Sequence, residues 1–493
     1  MSIQLGPCEE RVSLSINVPA LVKMERTRTS ILLYSRRKLT RSSKFLVLPT
    51  LNRSSKEERV DLAYQVLGAT HSTGVAGSFA LLPLAHKVLA RVTKIIDQEL
   101  SAIGAQKVSL PLLCSAKSWR ITGRWDSYGP VLFRLKDRSN AALCLGPTHE
   151  ETITQCIAEI GASNITPKLP LKLYQIGCKF RDEPRPKQSM LRAREFFMKD
   201  MYSFHATKSD CRTTYNEVTE TYHKIFHRIG LPFVRASAIS GDMGGSHSHE
   251  YHYELAVGED RVLECQQCCA YFNLEVVADG ENTADNNNHK KYSCPRCRGV
   301  LGPEKNCVEV GHTFVLGDFY SKKLGATCIV DGKQVPLEMG CYGIGVSRIV
   351  SAAAAQLTKG ASLALPISIA PFTVAVIGPK PGAVDSDQET ALTEELARKL
   401  DLILPGSRVI LDDRPWTIGR RLKEQQHSGT AFAVVIGKGL KLELHQFASE
   451  TPSGKGAGSS DRLRGSQTEP YILTEKSAVY DFFDKLRQRL QLI

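Results

Sequence analysis

The stretch FRDEPRPKQSMLRAREFFMKDMYSF, residues 180–204, constrains the fold of this chain more than any other. It crowds charges into Arg181–Lys187 and then runs directly into an apolar, aromatic segment. CKFRDE and EFFMKDMYSF both read as strands, joined by the basic loop Pro184–Arg194. On paired strands Arg181 and Glu183 share one face, as residues two apart must, and Arg192 and Phe196 lie across the loop on the partner strand. Such a pair suits a nucleoside triphosphate, which needs planar cationic donors at its phosphates and a flat apolar surface for its base. A solvent-exposed hairpin with charged edges would be spelled the same way, so the rest of the chain has to decide.

Upstream, Pro83 opens a helix in which Leu84, Val88, Val92, Ile95, Ile96, Leu100 and Ile103 recur at three- and four-residue spacing until Gly104. QKVSLP follows as a short strand closed by Pro111, and AALCL, residues 141–145, leads through Gly146-Pro147 into a helix starting near Glu150. Residues 210–230 read as an amphipathic helix, a Cys-rich insert occupies roughly 265–300, and MGCYGIGVSRIVSAAAAQL is a glycine turn feeding a helix. Beyond Pro366–Pro371 the runs TVAVIG, ETALTEELARKLDLI, SRVILDD, GRRLKEQQHSG and AFAVVIG alternate strand and helix, the pattern of a separate α/β domain. The Ser/Gly-rich residues 449–466 predict a flexible loop.

Charge adds little. Of the net +13, residues 26–56 supply nine Lys or Arg and no acid, leaving 13 − 9 = +4 for the rest of the chain. Bulk charge is therefore weak evidence for nucleic-acid binding. The segment RTRTSILLYSRRKLTRSSKF, Arg- and Ser/Thr-rich and free of acids, has the makeup of a mitochondrial transit peptide, with Met24 as an alternative start; a disordered basic tail is the other reading. No apolar run of membrane-spanning length is present. Fourteen cysteines, several in CxxC pairs, suit a reducing compartment with thiols held for metal or structure.

The order of these features resembles the class II aminoacyl-tRNA synthetases. Arg181-x-Glu183 followed by Arg192-x-x-x-Phe196 is similar to their second motif, GCYGIGVSR with Gly343, Gly345 and Arg348 to their third, and the helix and strand ending at Pro111 to their first, the dimer-interface element. FRDEPRP with REFFMKDMYSF, preceded by LGPTHEE, narrows the resemblance to the prolyl-tRNA synthetases over about residues 60–445. It implies a class II antiparallel β-sheet catalytic core flanked by helices over residues 57–365, with the Cys-rich insert at 265–300, and a C-terminal α/β anticodon-binding domain over 366–493, after a basic leader at 1–56. It further implies ATP-dependent ligation of L-proline to tRNA(Pro) through a prolyl-adenylate, with Mg2+, in a homodimer of the mitochondrial matrix and without a membrane role.

By the same resemblance Arg181 holds the α-phosphate and the substrate carboxylate, Glu183 the adenine edge, and Phe196 stacks on adenine with Arg348 on its other face; Arg192 and Arg348 face the γ-phosphate. Thr148 and Glu150 face the secondary ammonium of proline, although a Thr cap and an acidic first turn are also ordinary helix-start chemistry. Ser248, His249 and Glu250 line the amino-acid pocket, with His247 and His252 also readable as a strand edge; His312 and Cys341 resemble further pocket positions and would equally pass as core residues. Cys265-x-x-Cys268 and Cys294-x-x-Cys297 have the spacing of a four-thiolate zinc knuckle, or of its metal-free remnant. The 135 residues between Phe204 and Gly340 are too few for the large editing domain carried there by bacterial relatives. Departures stand at Lys187-Gln188-Ser189 and Ala193, and at Thr430-Ala431, where the family usually has Pro after glycine. A catalytically inactive synthetase-like RNA-binding protein, or a synthetase for another small amino acid, are the rival readings; intact Arg181, Arg192, Phe196 and Arg348 weigh against the first.

Overall fold

The computed structural model describes residues 39–46, 71–72, 74–186, 189–243, 245, 247–278, 283–284, 290–358, 362–380, 382–383, 386–448, 471–473 and 475–491. The leader through residue 38 and over 47–56, Lys187-Gln188 and the 449–466 loop lie outside them.

Helix α1 (Pro83–Ala102) begins with Pro83 in its first turn, where no N–H is needed, and Gly104 takes φ +72° just past its end. Its buried stripe, Leu84, Val88, Val92, Ile96 and Leu100, is the one the spacing predicts. After it come β1 (Gln106–Lys107), β2 (Leu113–Ser115), α2 (Ala116–Thr122), β3 (Arg134–Lys136), β4 (Ala142–Leu145) and α3 (Glu150–Ile160). The hairpin strands are β5 (Leu171–Phe180) and β6 (Glu195–His205), followed by α4 (Lys208–Ile229) and the strands β7 (Val234–Ser237), β8 (His247–Glu254), β9 (Asp260–Glu264) and β10 (Tyr271–Asn273). The long β11 (Lys305–Gly317), β12 (Glu338–Gly345) and α5 (Val346–Leu357) complete the unit.

Among the described residues nine strands form the central sheet, ordered β8-β7-β10-β9-β11-β12-β6-β5-β1, and β8 also pairs with β11. All neighbours are antiparallel except β7 with β10 and β1 with β5. Alternation along β12 sends Tyr342 and Ile344 into the core shared with α1, α4 and α5, and Met339 and Cys341 into a second core with Ile153 and Ile157 of α3. Helices thus cover both faces and leave the strand ends to build a site.

The predicted hairpin pairs as expected, from Leu171 opposite Phe204 to Phe180 opposite Glu195. Its ends differ. Strand β5 stops at Phe180, so Arg181 and Glu183 share no strand face, and Arg192 precedes β6. Pro184 and Pro186 have no N–H to give a ladder, and the Glu183 N–H instead turns back to the Arg181 carbonyl at 2.8 Å.

The C-terminal unit is a second sheet, ordered β14-β13-β15-β16-β17, from β13 (Val374–Ile377), β14 (Val409–Asp412), β15 (Phe432–Ile436), β16 (Leu442–Gln446) and β17 (Tyr471–Leu473). Helices α6 (Asp387–Ile403) and α8 (Lys476–Arg489) pack with one face, and α7 (Ile418–His427) with the other. The last part of the basic segment docks here. The Leu411 N–H donates to the Thr40 carbonyl at 2.9 Å, Arg41 pairs with Glu394 at 2.9 Å, and the Asp413 carboxylate accepts from Ser43 N–H at 2.9 Å and Oγ at 2.7 Å. Phe45 meets Phe372 edge-on at 5.2 Å. Residues 39–46 therefore extend the β14 edge of this unit.

Candidate active site

A cavity of about 480 Å³ opens where β5, β6, β11 and β12 converge with the loop after β5 and the start of α5. Thr148, Arg181, Glu183, Arg192, Phe196, His312, Cys341 and Arg348 all line it, although the chain between the first and last of them spans some 200 residues. Its floor is β12, where a Cβ added at Gly343 would find its nearest protein neighbour, the His312 carbonyl oxygen, 3.9 Å away. Nothing in the protein requires glycine there. Open space over a flat floor is what a planar ligand would use.

Arg181, Arg192 and Arg348 supply phosphate-type donors to this cavity. The Arg181 guanidinium sits 5.2 Å from the centroid of the Phe196 ring, and its Nε is buried with no hydrogen-bond partner among the described residues. Leaving such a donor unmatched is costly unless a ligand accepts from it. Arg348 is held rigidly: Nε donates to the Leu191 carbonyl at 3.0 Å and an η-nitrogen to the Glu309 carbonyl at 2.9 Å. Ser347 beside it takes the Phe197 N–H at 3.1 Å, which pins the start of α5 to β6. Arg192 and Glu183, expected to act separately on a nucleotide, bond to each other at 3.0 Å, and Arg192 also reaches Glu259 at 2.7 Å. Both acids hold the Arg192 charge, the Glu183 hydrogen bond most strongly.

The wall at Thr148 is built differently. Thr148 does not cap α3; its hydroxyl donates to Glu150 Oε1 at 2.7 Å. With its proton committed inward, Thr148 presents only lone pairs to the cavity, which suits a cationic N–H donor. Glu150 itself has no exposed surface and lies behind Thr148 and Cys341, whose thiol donates to Oε1 at 3.3 Å. Burial and the Glu150 carboxylate push the Cys341 thiol far above its ordinary range, so it stays a neutral donor.

Strand β8 divides its predicted residues between two faces. Ser248 Oγ bonds His312 Nε2 at 2.5 Å, and Glu250 Oε1 lies 3.6 Å from His312 Nδ1, so both support the His312 ring at the cavity wall without lining it. His249, one residue out of phase, points to the other face and bonds the Tyr215 hydroxyl at 2.7 Å; it does not reach the cavity. Burial, followed by the charges of Arg235 and its histidine neighbours, drives it down to about 3, so it is neutral at physiological pH. His252, on the other face, bonds Glu250 at 2.9 Å inside the core rather than decorating an edge, while His247 stands with its ring centroid 5.2 Å from that of Tyr215.

Among the cavity residues that escaped the sequence reading, three polar ones stand out. Glu309 bonds His312 Nδ1 at 3.1 Å and faces Arg348 at 3.4 Å; burial opposes its ionisation, but the bond and charge of His312, with Arg348 and His252, hold it well below the carboxylate range. Tyr128 and Asp200 line the wall as well. Tyr128 and Glu309 carry no motif of their own, and Asp200, although inside the EFFMKDMYSF strand, carries no signal there that it faces a site; only the arrangement of strands reveals them.

Apart from the cavity, the two CxxC turns face each other. Cys265 Sγ lies 3.5 Å from Cys297 Sγ, Cys268 Sγ 3.7 Å from Cys294 Sγ, and all four thiols fall within 4.8 Å of one another. Thiolates about 2.3 Å from a tetrahedral zinc stand roughly 3.8 Å apart, so the cluster fits that ion. Cys269, which blurred the first pair in the sequence, takes φ +55° and is exposed, outside the group.

A family model for the class II tRNA synthetase core domain (G, H, P, S and T) matches residues 133–357. Curated relatives named "Probable proline--tRNA ligase, mitochondrial" are 41% identical in rat and 40% in human, each over 369 residues that cover 73% of this chain and 74% of the relative. The relative of that name in Schizosaccharomyces pombe is 39% identical and 83% covered. Among solved structures, Giardia lamblia prolyl-tRNA synthetase in complex with prolyl-adenylate superposes with TM-score 0.67 at 16% identity, covering 88% of this chain and 79% of that one. The Cryptosporidium parvum enzyme with L-proline and AMP gives TM-score 0.65 at 15% identity, covering 87% and 76%.

Proposed function

This chain belongs to the proline–tRNA ligase family, and from that premise we propose that it is the enzyme that activates L-proline with ATP and transfers it to tRNA(Pro). The observation that carries the reading is one cavity lined both by an unmatched buried Arg181 donor and by the proton-committed Thr148 hydroxyl. An amino acid and a nucleotide placed between them would meet carboxylate to α-phosphorus.

We assign Arg181 to the α-phosphate and the proline carboxylate, Phe196 and Arg348 to the two faces of adenine over the open floor at Gly343, and Arg348 with Arg192 to the γ-phosphate. Arg192 and Glu183 must exchange their mutual ion pair for ligand contacts, an exchange favoured because the pair is partly exposed and individually weak. Negative charge builds on the phosphoryl oxygens as the carboxylate attacks, and prepositioned guanidinium donors stabilise it without a covalent enzyme intermediate. Thr148 takes the secondary ammonium, with Glu150 supplying the negative charge behind it, while His312, steadied by Ser248 and Glu250, and Cys341 shape the wall. Glu309, ionised and beside Arg348, is the donor available to Mg2+, which would neutralise phosphate charge during the step.

We place anticodon binding on the C-terminal unit. There Arg414 and Arg420 lie 4.5 and 4.0 Å from the Trp416 ring centroid, a cationic aromatic surface of the kind RNA bases favour. Homodimerisation would use the β1 edge, beyond which Leu112 and Leu113 are exposed. Zinc in the four-thiolate cluster would brace the Cys-rich insert. Relatives of mitochondrial name support that compartment, and we propose the matrix, with leader processing upstream of the docked residues 39–46. No helix among the described residues is long and apolar enough to cross a membrane. Proline-dependent exchange of pyrophosphate into ATP tests the assignment. An inactive homologue would give none, and a synthetase for another amino acid would respond to that amino acid instead.

A further inference from the structure

Behind the amino-acid end of the cavity lies a charge cluster that no role above explains. Arg124 is 2% exposed, and one η-nitrogen sits 3.1 Å from Glu150 Oε2 and 3.1 Å from both oxygens of Glu151. Trp119, Tyr128 and Tyr320 surround its guanidinium, with ring centroids at 4.9, 5.3 and 5.6 Å. Gly123 at φ +88° ends α2 and turns the chain so that Arg124 enters this cage. Thr122, the last residue of α2, adds a hydroxyl to Glu151 at 3.0 Å.

Two adjacent carboxylates without exposed surface and one guanidinium are an expensive arrangement for stability alone, since an apolar set of similar volume would avoid the desolvation. The geometry shows what it accomplishes. A carboxylate offers about four lone-pair sites. Glu150 uses them on Thr148 Oγ1 and Cys341 Sγ at Oε1 and on Arg124 at Oε2. Thr148 faces the cavity as an acceptor only while Glu150 Oε1 is turned to take its proton. Without Arg124, Glu150 Oε2 would lose its guanidinium and two buried carboxylates would lie side by side with nothing to fix their orientation. Burial and Glu150 already raise Glu151 to about 7 against the opposing pull of Arg124.

We propose that Arg124 is a positioning residue for the amino-acid pocket: by holding Glu150 Oε2 it keeps Oε1 turned toward Thr148, so that Thr148 presents a pure acceptor to the substrate ammonium. This rests on the ligase reading above.

The test compares L-proline with tetrahydrofuran-2-carboxylate, which keeps the ring and the carboxylate but replaces the ammonium by an ether oxygen. Both are titrated calorimetrically into the full-length protein with a non-hydrolysable ATP analogue present. Wild type should bind proline much more tightly than the analogue. In Arg124→Met proline affinity should fall roughly 10- to 100-fold, as expected for a lost buried charged partner, while analogue affinity stays within about 2-fold because it makes no use of the Thr148–Glu150 relay. Arg124→Lys, which keeps the charge but loses the planar fork, should fall between, and it carries the same comparison if Arg124→Met does not fold. Unchanged proline binding, or an equal loss for both ligands, overturns the positioning role. A wild-type protein that does not prefer proline over the analogue overturns the ligase reading itself.

Discussion

Replacing Arg181 with alanine separates function from stability more sharply than any other single change. Among the described residues this guanidinium makes no ion pair; it lies over the Phe196 ring, 5.2 Å from its centroid, and its buried Nε has no acceptor there. Deleting it forfeits a cation–π contact of about 0.5–1 kcal/mol and relieves an unmatched buried donor of about 1–3 kcal/mol. The relief equals or exceeds the loss, so the melting temperature should not fall. In the reaction the same group would be a fixed donor to the phosphoryl oxygens, and loss of one such donor lowers a rate by about 10²–10³, or roughly 3–4 kcal/mol. Proline-dependent ATP–pyrophosphate exchange, measured beside a thermal melt, should therefore show a collapse in rate on an intact fold. Exchange within about 5-fold of wild type would refute the reasoning, because a true transition-state donor costs far more. A large loss of stability would refute it from the other side, since Arg181 would then be a structural tie.

The thiol cluster predicts about one zinc per chain by metal analysis, strongly reduced in Cys268→Ser/Cys294→Ser, and a chelator-induced drop in melting temperature; metal-free protein indifferent to chelator would establish the remnant reading. Asp413→Ala removes both Ser43 hydrogen bonds, which are exposed, so it should lower the stability of the C-terminal unit by about 0.5–1 kcal/mol in urea unfolding, and an unchanged midpoint would mean that residues 39–46 do not dock. Because His249 titrates near 3 when folded and near 6.5 when unfolded, the unfolded chain binds the extra proton between those values, and stability falls as pH drops below about 6.5. His249→Gln should thus lose less stability than wild type between about pH 7 and pH 5; equal losses would place the ring in water. Between Phe204 and Gly340 the described residues form the central sheet, α4 and the Cys insert, so alanine should be activated with only about 10–200-fold discrimination, and enzyme-dependent deacylation of alanyl-tRNA(Pro) should be absent. Rapid deacylation would reveal a hydrolytic site elsewhere.

Local chemistry determined a good deal by itself. The buried stripe of α1, the Pro83 start and Gly104 stop, and the strand–helix alternation after Pro371 are set by periodicity and backbone limits that act within a few residues. The ordered arginine and glycine runs named the residues that meet in the cavity. Tertiary structure decided what depends on phase and on distant partners. Phase along β8 turned His249 away while leaving Ser248 and Glu250 behind His312. Past Phe180 the backbone leaves the ladder, the Glu183 N–H turning back to the Arg181 carbonyl, and the Arg181 side chain lines the cavity. Glu150 went behind Thr148 rather than beside it, and Arg124, a lone arginine in an unpatterned turn, became its counter-ion across 26 residues of chain. A residue's own letter specifies which bonds it can make; only the packed sheet and helices specify which partners are within 3 Å, and electrostatics in a buried site depends steeply on that distance.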